Sequence, residues 1–172
     1  MKKRLLFCLI VLTVISCTKE NYELRLSDFN TPLIKGYYLR DDFGNFNGIV
    51  GIPNTKQGSD NDYENSQYYF SFFPNPAENF CNIDLKAPTY GEIIKLWITP
   101  ANMYNYESTN SIFFNNANNI TIGGSPVYQT EFHSNSFIGL DLSNIPNGYY
   151  RIYLKVNDYL LYDNLVIYSL NK

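Results

Sequence analysis

Few residues in this 172-residue chain have side chains suited to a His-based catalytic triad or to a transition-metal site. The chain has one histidine, His133, and three cysteines. A catalytic triad needs a nucleophile, a base and a third group that orients the base, and the sequence places no such set around His133. We therefore predict that His133 is a surface residue, that the protein has no catalytic residues and that it is not an enzyme.

Oxygen ligands for a hard cation are more plentiful. The stretch Asp60-Asn61-Asp62-Tyr63-Glu64-Asn65 alternates such ligands. An EF-hand loop starting at Asp60 would also need Gly at its sixth position and Glu at its twelfth. Those positions hold Asn65 and Ser71. We expect a solvated acidic loop here, with a looser Ca²⁺ site as the alternative, and we treat Asp41-Asp42 in the same way. The prediction is no metal and no cofactor.

The overall charge argues against nucleic acid as a partner. The chain has 13 basic and 16 acidic residues, for a net charge of −3. A nucleic-acid-binding domain normally carries a basic excess. Hydrophobic residues make up 45% and aromatic residues 17% of the chain. This composition predicts a packed core, and the aromatic content favours strands.

The N-terminus has the pattern of a secretory signal. Met1-Lys2-Lys3-Arg4 is basic and Leu5–Ile15 is apolar apart from Thr13. This run is too short to span a membrane stably, since a spanning helix needs about 20 apolar residues. A basic start, a short apolar middle and a small residue before the cleavage point are typical of a signal peptide.

The end of this signal, Val14-Ile15-Ser16-Cys17, resembles the lipobox of bacterial lipoproteins. The resemblance implies cleavage before Cys17 and attachment of lipid to its thiol, so the chain would bind the membrane through an N-terminal lipid. An ordinary secreted protein is the alternative. Cys17-Thr18-Lys19-Glu20 is loosely similar to a surface-export signal of Bacteroidota lipoproteins. A polar tether is the plainer interpretation, so an outer-membrane lipoprotein facing the cell surface and one facing the periplasm both stay open.

After residue 30 the apolar residues alternate with a period of two, which predicts strands. The clearest strands are Phe80–Leu85, Ile94–Ile98, Ile138–Leu142 and Tyr150–Val156. Asn157-Asp158 fits a two-residue turn leading into Leu160–Tyr168. Further strands are expected at Leu33–Leu39, Gly48–Ile52, Tyr68–Phe73, Ile112–Phe114, Ile120–Ile122 and Val127–Phe132. Seven or more short antiparallel strands indicate a β-sandwich. We divide the chain into a signal peptide (1–16), a polar tether (17–30) and an all-β domain (31–172).

Part of this domain carries a family motif. Phe72-Phe73-Pro74-Asn75-Pro76-Ala77 precedes an alternating strand, and Asp141–Tyr150 leads into the final hairpin. Residues 72–168 resemble the C-terminal sorting domain of the type IX secretion system in this order of motifs. The resemblance implies an immunoglobulin-like β-sandwich, and it suggests an envelope-assembly or secretion accessory as one possible function.

The alternation also assigns faces to individual residues. It places Cys81 inward, where a cysteine acts as a small hydrophobe. Trp97 and Tyr153 fall on the opposite, outward face. Such aromatics can stack on a sugar or anchor a protein partner, and packing between strands is the other interpretation. We therefore expect a noncatalytic cell-envelope lipoprotein that binds a glycan or an envelope protein, with Trp97 and Tyr153 as candidate ligand-binding residues.

Overall fold

The structure is a computed structural model that describes residues 31–60, 64–87, 91–104, 125–133 and 137–170. The described residues form eleven β-strands and no helix. The strands are β1 Leu33–Ile34, β2 Gly36–Arg40, β3 Phe46–Gly51, β4 Tyr69–Phe73, β5 Phe80–Lys86, β6 Ile93–Pro100, β7 Asn102–Met103, β8 Tyr128–His133, β9 Phe137–Asp141, β10 Gly148–Val156 and β11 Tyr159–Ile167. The protein is therefore all-β over its described part, as the alternating pattern predicts.

The strands form four sheets. The largest has the order β11-β10-β6-β8, and a second has the order β4-β5-β9. Both are antiparallel throughout. β2 and β3 form an antiparallel hairpin, while β1 pairs with β7 in parallel. The prediction of antiparallel sheets is confirmed, and the short parallel pair is an addition that the sequence did not indicate.

The two larger sheets share one hydrophobic core. Nearly all the side chains predicted to point inward, such as Cys81, Ile83, Leu96 and Ile152, are buried in the same cluster, and Ile138 is partly buried against it. Full burial of a Leu or Ile side chain stabilises the folded state by about 1.5–3 kcal/mol. Each of these strands has one apolar face, and the two sheets bury these faces against each other. The shared core therefore holds the strands of both sheets in place.

The long hairpin at the C-terminus follows its predicted turn. Val156 pairs with Tyr159, and Asn157 has a φ of 51°. Asn tolerates this left-handed conformation better than most residues, so Asn157-Asp158 closes a two-residue loop whose twist suits antiparallel strands.

Several strand boundaries differ from the sequence expectations. The predicted strand Leu33–Leu39 is divided at Lys35 into β1 and β2, whose partners lie in different sheets. β7 was not anticipated, because two residues give no periodic signal. The expected strands Ile112–Phe114 and Ile120–Ile122 lie outside the described residues, as do the signal peptide and the tether.

Candidate functional site

The two candidate ligand-binding residues lie side by side on the four-stranded sheet. Tyr153 on β10 pairs in register with Trp97 on β6 and with Tyr162 on β11. The Trp97 and Tyr153 rings are stacked, with centroids 5.1 Å apart and planes 12° apart. The Tyr153 and Tyr162 rings are 6.2 Å apart and tilted. We call Trp97, Tyr153 and Tyr162 the aromatic ladder. It forms a cluster separate from the main core. The alternation predicted this side for Trp97 and Tyr153, and the structure adds Tyr162.

The aromatic ladder is buried. Trp97 is 8% exposed and Tyr153 is fully covered. Burial raises the pKa of Tyr153, and the nearby Arg151 guanidinium opposes that shift. The Trp97 Nε1–H is buried without a hydrogen-bond partner among the described residues, which is an unfavourable arrangement. Stacking on a sugar needs an open ring face, whereas here Trp97 and Tyr153 cover one another. The geometry favours packing between strands over an open ligand platform.

Arg151 connects this face to the N-terminal segment. Its Nε donates to Asn164 Oδ1 at 3.1 Å, and its Nη2 donates to the Leu33 carbonyl at 3.1 Å and the Asn54 carbonyl at 3.4 Å. The guanidinium also lies 5.1 Å from the Tyr162 ring centroid. Burial lowers the pKa of Arg151. With its Nε and Nη2 donors committed to the protein, Arg151 acts as a structural tie.

A buried ion pair forms a second tie on the core-facing side of β11. Arg40 Nη2 lies 3.1 Å from Asp163 Oδ2, and both side chains are almost entirely buried. Asp163 also accepts hydrogen bonds from Gln57 Nε2 at 2.6 Å and from the Asn164 amide at 2.7 Å. The carboxylate is therefore surrounded by donors from three segments, and the pair fixes β2 against the edge of β11.

The Pro-Asn-Pro-Ala motif has a structural role centred on Asn75. The Asn75 side chain donates to the carbonyls of Tyr38 at 2.7 Å and Asn164 at 3.1 Å, and it accepts from the Val166 amide at 3.0 Å. Its main chain exchanges two hydrogen bonds of 3.0 Å with Arg40. Asn75 thus occupies the space between the edges of β2 and β11 and satisfies backbone groups on both.

The other candidate residues of the sequence show no reactive arrangement. Cys81 is buried, and burial raises its pKa to about 12. His133 is exposed, with Nδ1 3.1 Å from the Gly91 carbonyl. Asp41 accepts hydrogen bonds from the side chain and amide of Asn45 and from the Phe43 amide, and these lower its pKa. No group of three or more His, Cys, Asp or Glu side chains able to hold a metal occurs in the described part of the chain.

A group of exposed apolar side chains lies elsewhere, on and beside the hairpin of β2 and β3. We define the hairpin surface as Phe43, Phe46, Ile49 and Ile52, which are 85%, 62%, 52% and 67% exposed. Tyr38 connects two of them, since it pairs with Ile49 in register and its ring lies 6.3 Å from that of Phe46. A signal for this surface exists in the sequence: the stretch 43–55 contains no Asp, Glu, Lys or Arg. Sequence reasoning missed it because alternation alone does not reveal whether a short strand is covered.

β3 is also an open strand edge. β2 has β3 on one side and Asn75 on the other, where Arg40 and Asn75 bond through their main chains. Among the described residues β3 pairs with β2 alone, so its outer row of amides and carbonyls has no protein partner. Natural proteins usually protect such an edge with charged residues or proline. From Phe46 to Gly51 this strand has neither, although it carries a bulge at Asn47.

No protein-family model matches the chain, and no curated protein matches it in sequence. Over the described residues, no helix is long and apolar enough to cross a membrane.

Proposed function

We propose that the protein is a noncatalytic cell-envelope lipoprotein, held by lipid on Cys17, that binds a protein partner through the hairpin surface. The observation that carries the binding part of the proposal is the combination of four exposed apolar side chains with the open edge of β3. Exposed apolar patches on a soluble body commonly mark interaction sites, and an open strand edge offers backbone hydrogen bonds to an extended partner.

A protein partner fits this geometry better than a glycan does. Glycan binding would rely on Trp97 and Tyr153, whose rings face each other and are buried. The hairpin surface instead offers aliphatic and phenyl groups with no charged side chain from residue 43 to 55. Phe and Ile supply contact area without the hydrogen-bonding groups that orient a sugar, so they suit an apolar protein surface.

The experiment has one arm for the anchor and one for the binding surface. Mass spectrometry of the full chain purified from membranes should find a lipid-modified Cys17 as the first residue, and Cys17→Ser should release the protein from the membrane fraction. An unmodified Cys17 in membrane-bound protein would overturn the anchor.

For the binding surface, Ile49→Lys should abolish cross-linking of the full chain to envelope proteins in intact cells. The matched control is Ile93→Lys, since Ile93 is 58% exposed on a different sheet. Equal loss with both variants, or with neither, would contradict binding through the hairpin surface.

A second candidate function is an accessory of envelope assembly or type IX secretion. It rests on the likeness of residues 72–168 to the sorting domain, together with the position of Asn75 in the shared Pro-Asn-Pro-Ala motif. On this proposal the two larger sheets form an immunoglobulin-like sandwich. Deleting the gene should then reduce secretion of sorting-domain cargo across the outer membrane, and unchanged secretion would exclude this role.

A further inference from the structure

We propose that the occupant of the β3 edge is a second copy of this chain, joined by antiparallel pairing of β3 with its counterpart across a twofold axis. The proposal rests on the binding function given above and specifies its partner. It concerns Phe46–Gly51 and the apolar side chains around that strand.

The unpaired backbone groups of β3 favour a strand partner over a lipid surface. The outer edge of β3 presents amides and carbonyls without partners among the described residues. A membrane covers apolar side chains but supplies no strand to pair with these groups, and unpaired backbone groups are costly in an apolar environment. An occupant that satisfies these groups must bring an extended segment or an open strand edge, and β3 of a second copy provides such an edge.

The charge distribution allows two copies to meet here. The chain is net negative, and it becomes more so if Lys2, Lys3 and Arg4 are removed with the signal peptide. Two acidic bodies repel one another in general. The stretch 43–55 is uncharged, so antiparallel self-pairing along it brings no like charges together. A partner for β3 should itself be exposed and uncharged, and β3 of a second copy is both.

The available surface is also of the right order. The four side chains of the hairpin surface leave roughly 500 Å² exposed per chain, from their fractional exposures and the usual areas of such side chains. A stable interface buries about 800 Å² per partner, of which somewhat more than half is apolar. Lipid anchoring would raise the local concentration further by confining both copies to one membrane.

The pairing of β3 with β2 shows which part of β3 is regular. A bulge between Leu39 and Arg40 shifts the register opposite Asn47, after which the pairing with β2 is regular from Gly48 to Gly51. Gly48 and Gly51 have positive φ, and a side chain at Gly51 would collide with the Lys35 carbonyl oxygen, so this glycine allows the close approach of β2 and β3. Self-pairing would therefore use the regular part of β3, with Ile49 near the axis.

Disulfide trapping of the full chain in intact cells tests the proposal. Single substitutions Asn47→Cys, Ile49→Cys and Val50→Cys should give covalent dimers whose yield peaks at one or two of these positions, because antiparallel self-pairing brings together only residues near the axis. A disulfide requires Cα atoms within about 7 Å. The wild-type chain is the blank, since its Cys81 is buried. Ile93→Cys on β6 is the control for random collision and should give no dimer.

A charge substitution then links the trapped dimer to the hairpin surface. In the Val50→Cys background, Ile49→Lys should lower the dimer yield at least tenfold by placing like charges near the axis, while Ile93→Lys should leave it unchanged. Circular dichroism of the purified variants shows whether each one is folded. A folded Ile49→Lys variant that cross-links as efficiently as its parent would overturn the proposal.

The outcomes separate this inference from the proposed function. If no cysteine position cross-links but Ile49→Lys abolishes capture of an envelope protein, the second copy is wrong and the binding function stands. If purified full chain binds phosphatidylcholine–phosphatidylglycerol vesicles through Ile49 and no dimer forms, the surface is a membrane contact and the proposal fails. If no dimer, capture or vesicle binding depends on Ile49, both proposals fail.

Discussion

The buried ion pair between Arg40 and Asp163 gives a prediction whose size follows from its contacts. Replacing Arg40 by Met removes the positive charge 3.1 Å from the carboxylate and keeps most of the side-chain volume. Asp163 retains hydrogen bonds from Gln57 and the Asn164 amide, both uncharged donors. The substitution therefore leaves a fully buried carboxylate that is hydrogen-bonded but not neutralised.

Removing one partner of a buried ion pair destabilises a protein by about 3–5 kcal/mol. Because two donors remain on Asp163, we expect a loss near the lower end, about 3 kcal/mol at pH 7. The double variant Arg40→Met with Asp163→Asn has no unpaired charge and should recover at least about 1.5 kcal/mol of this loss. Equilibrium urea unfolding of residues 18–172, followed by tryptophan fluorescence, measures each value.

The pH dependence supplies a second readout. Burial raises the pKa of Asp163 above 3.8, while Arg40 opposes the shift. A carboxyl whose pKa is higher in the folded state binds its proton more tightly there, so the free energy of unfolding falls as the pH rises from 3.8 through the folded pKa. Without Arg40 the pKa rises further and this range extends upward. Arg40→Met should therefore be less destabilised at pH 5 than at pH 7, and adding Asp163→Asn should remove the difference.

The matched control is the exposed ion pair of Lys95 and Glu131, whose atoms are 3.0 Å apart and whose side chains are each 59% exposed. Lys95→Met should change the free energy of unfolding by no more than about 0.5 kcal/mol, because solvent screens such pairs. The reasoning is refuted if Arg40→Met is no more destabilising than Lys95→Met, or if its stability has the wild-type pH dependence.

Three further predictions concern the other buried groups. Burial raises the pKa of Cys81 to about 12, so the folded body at pH 8 should resist iodoacetamide while urea-unfolded protein reacts; rapid labelling of folded protein would show an accessible thiol. Asn75→Ala should cost about 3 kcal/mol in urea unfolding, because the buried Asn75 side chain makes three hydrogen bonds that are lost; a loss below about 1 kcal/mol would contradict its bridging role. Trp97→Ala should cost about 3–5 kcal/mol, whereas Trp97→Phe should cost much less, since it keeps a ring and removes the unpartnered indole N–H. On a glycan array Trp97→Phe should match wild type; selective loss of a bound glycan would instead support ligand binding at this residue.

The sequence predicted the strands of the two larger sheets and the faces of their side chains. In β5, β6 and β10 the inward residues were identified correctly, since neighbouring side chains of a strand must point to opposite sides. The turn at Asn157-Asp158 was also predictable, because the preference of Asn for a left-handed conformation is local. These features depend on the chemistry of adjacent residues alone.

The sequence did not show which faces and edges would be covered. Alternation placed Tyr153 on the face opposite the main core. It could not show that this face contacts the N-terminal segment, where Arg151 donates to the Leu33 carbonyl, 118 residues away along the chain. In the same way, nothing near Asp163 indicates that Arg40, 123 residues distant, would neutralise it. The local geometry of a strand fixes the face on which each side chain lies. Whether that face is buried depends on distant segments that only the folded chain brings together. For that reason the sequence specified an all-β body with one apolar face on each of its clearest strands, and the tertiary structure decided that Trp97 is buried while β3 presents an open, uncharged edge.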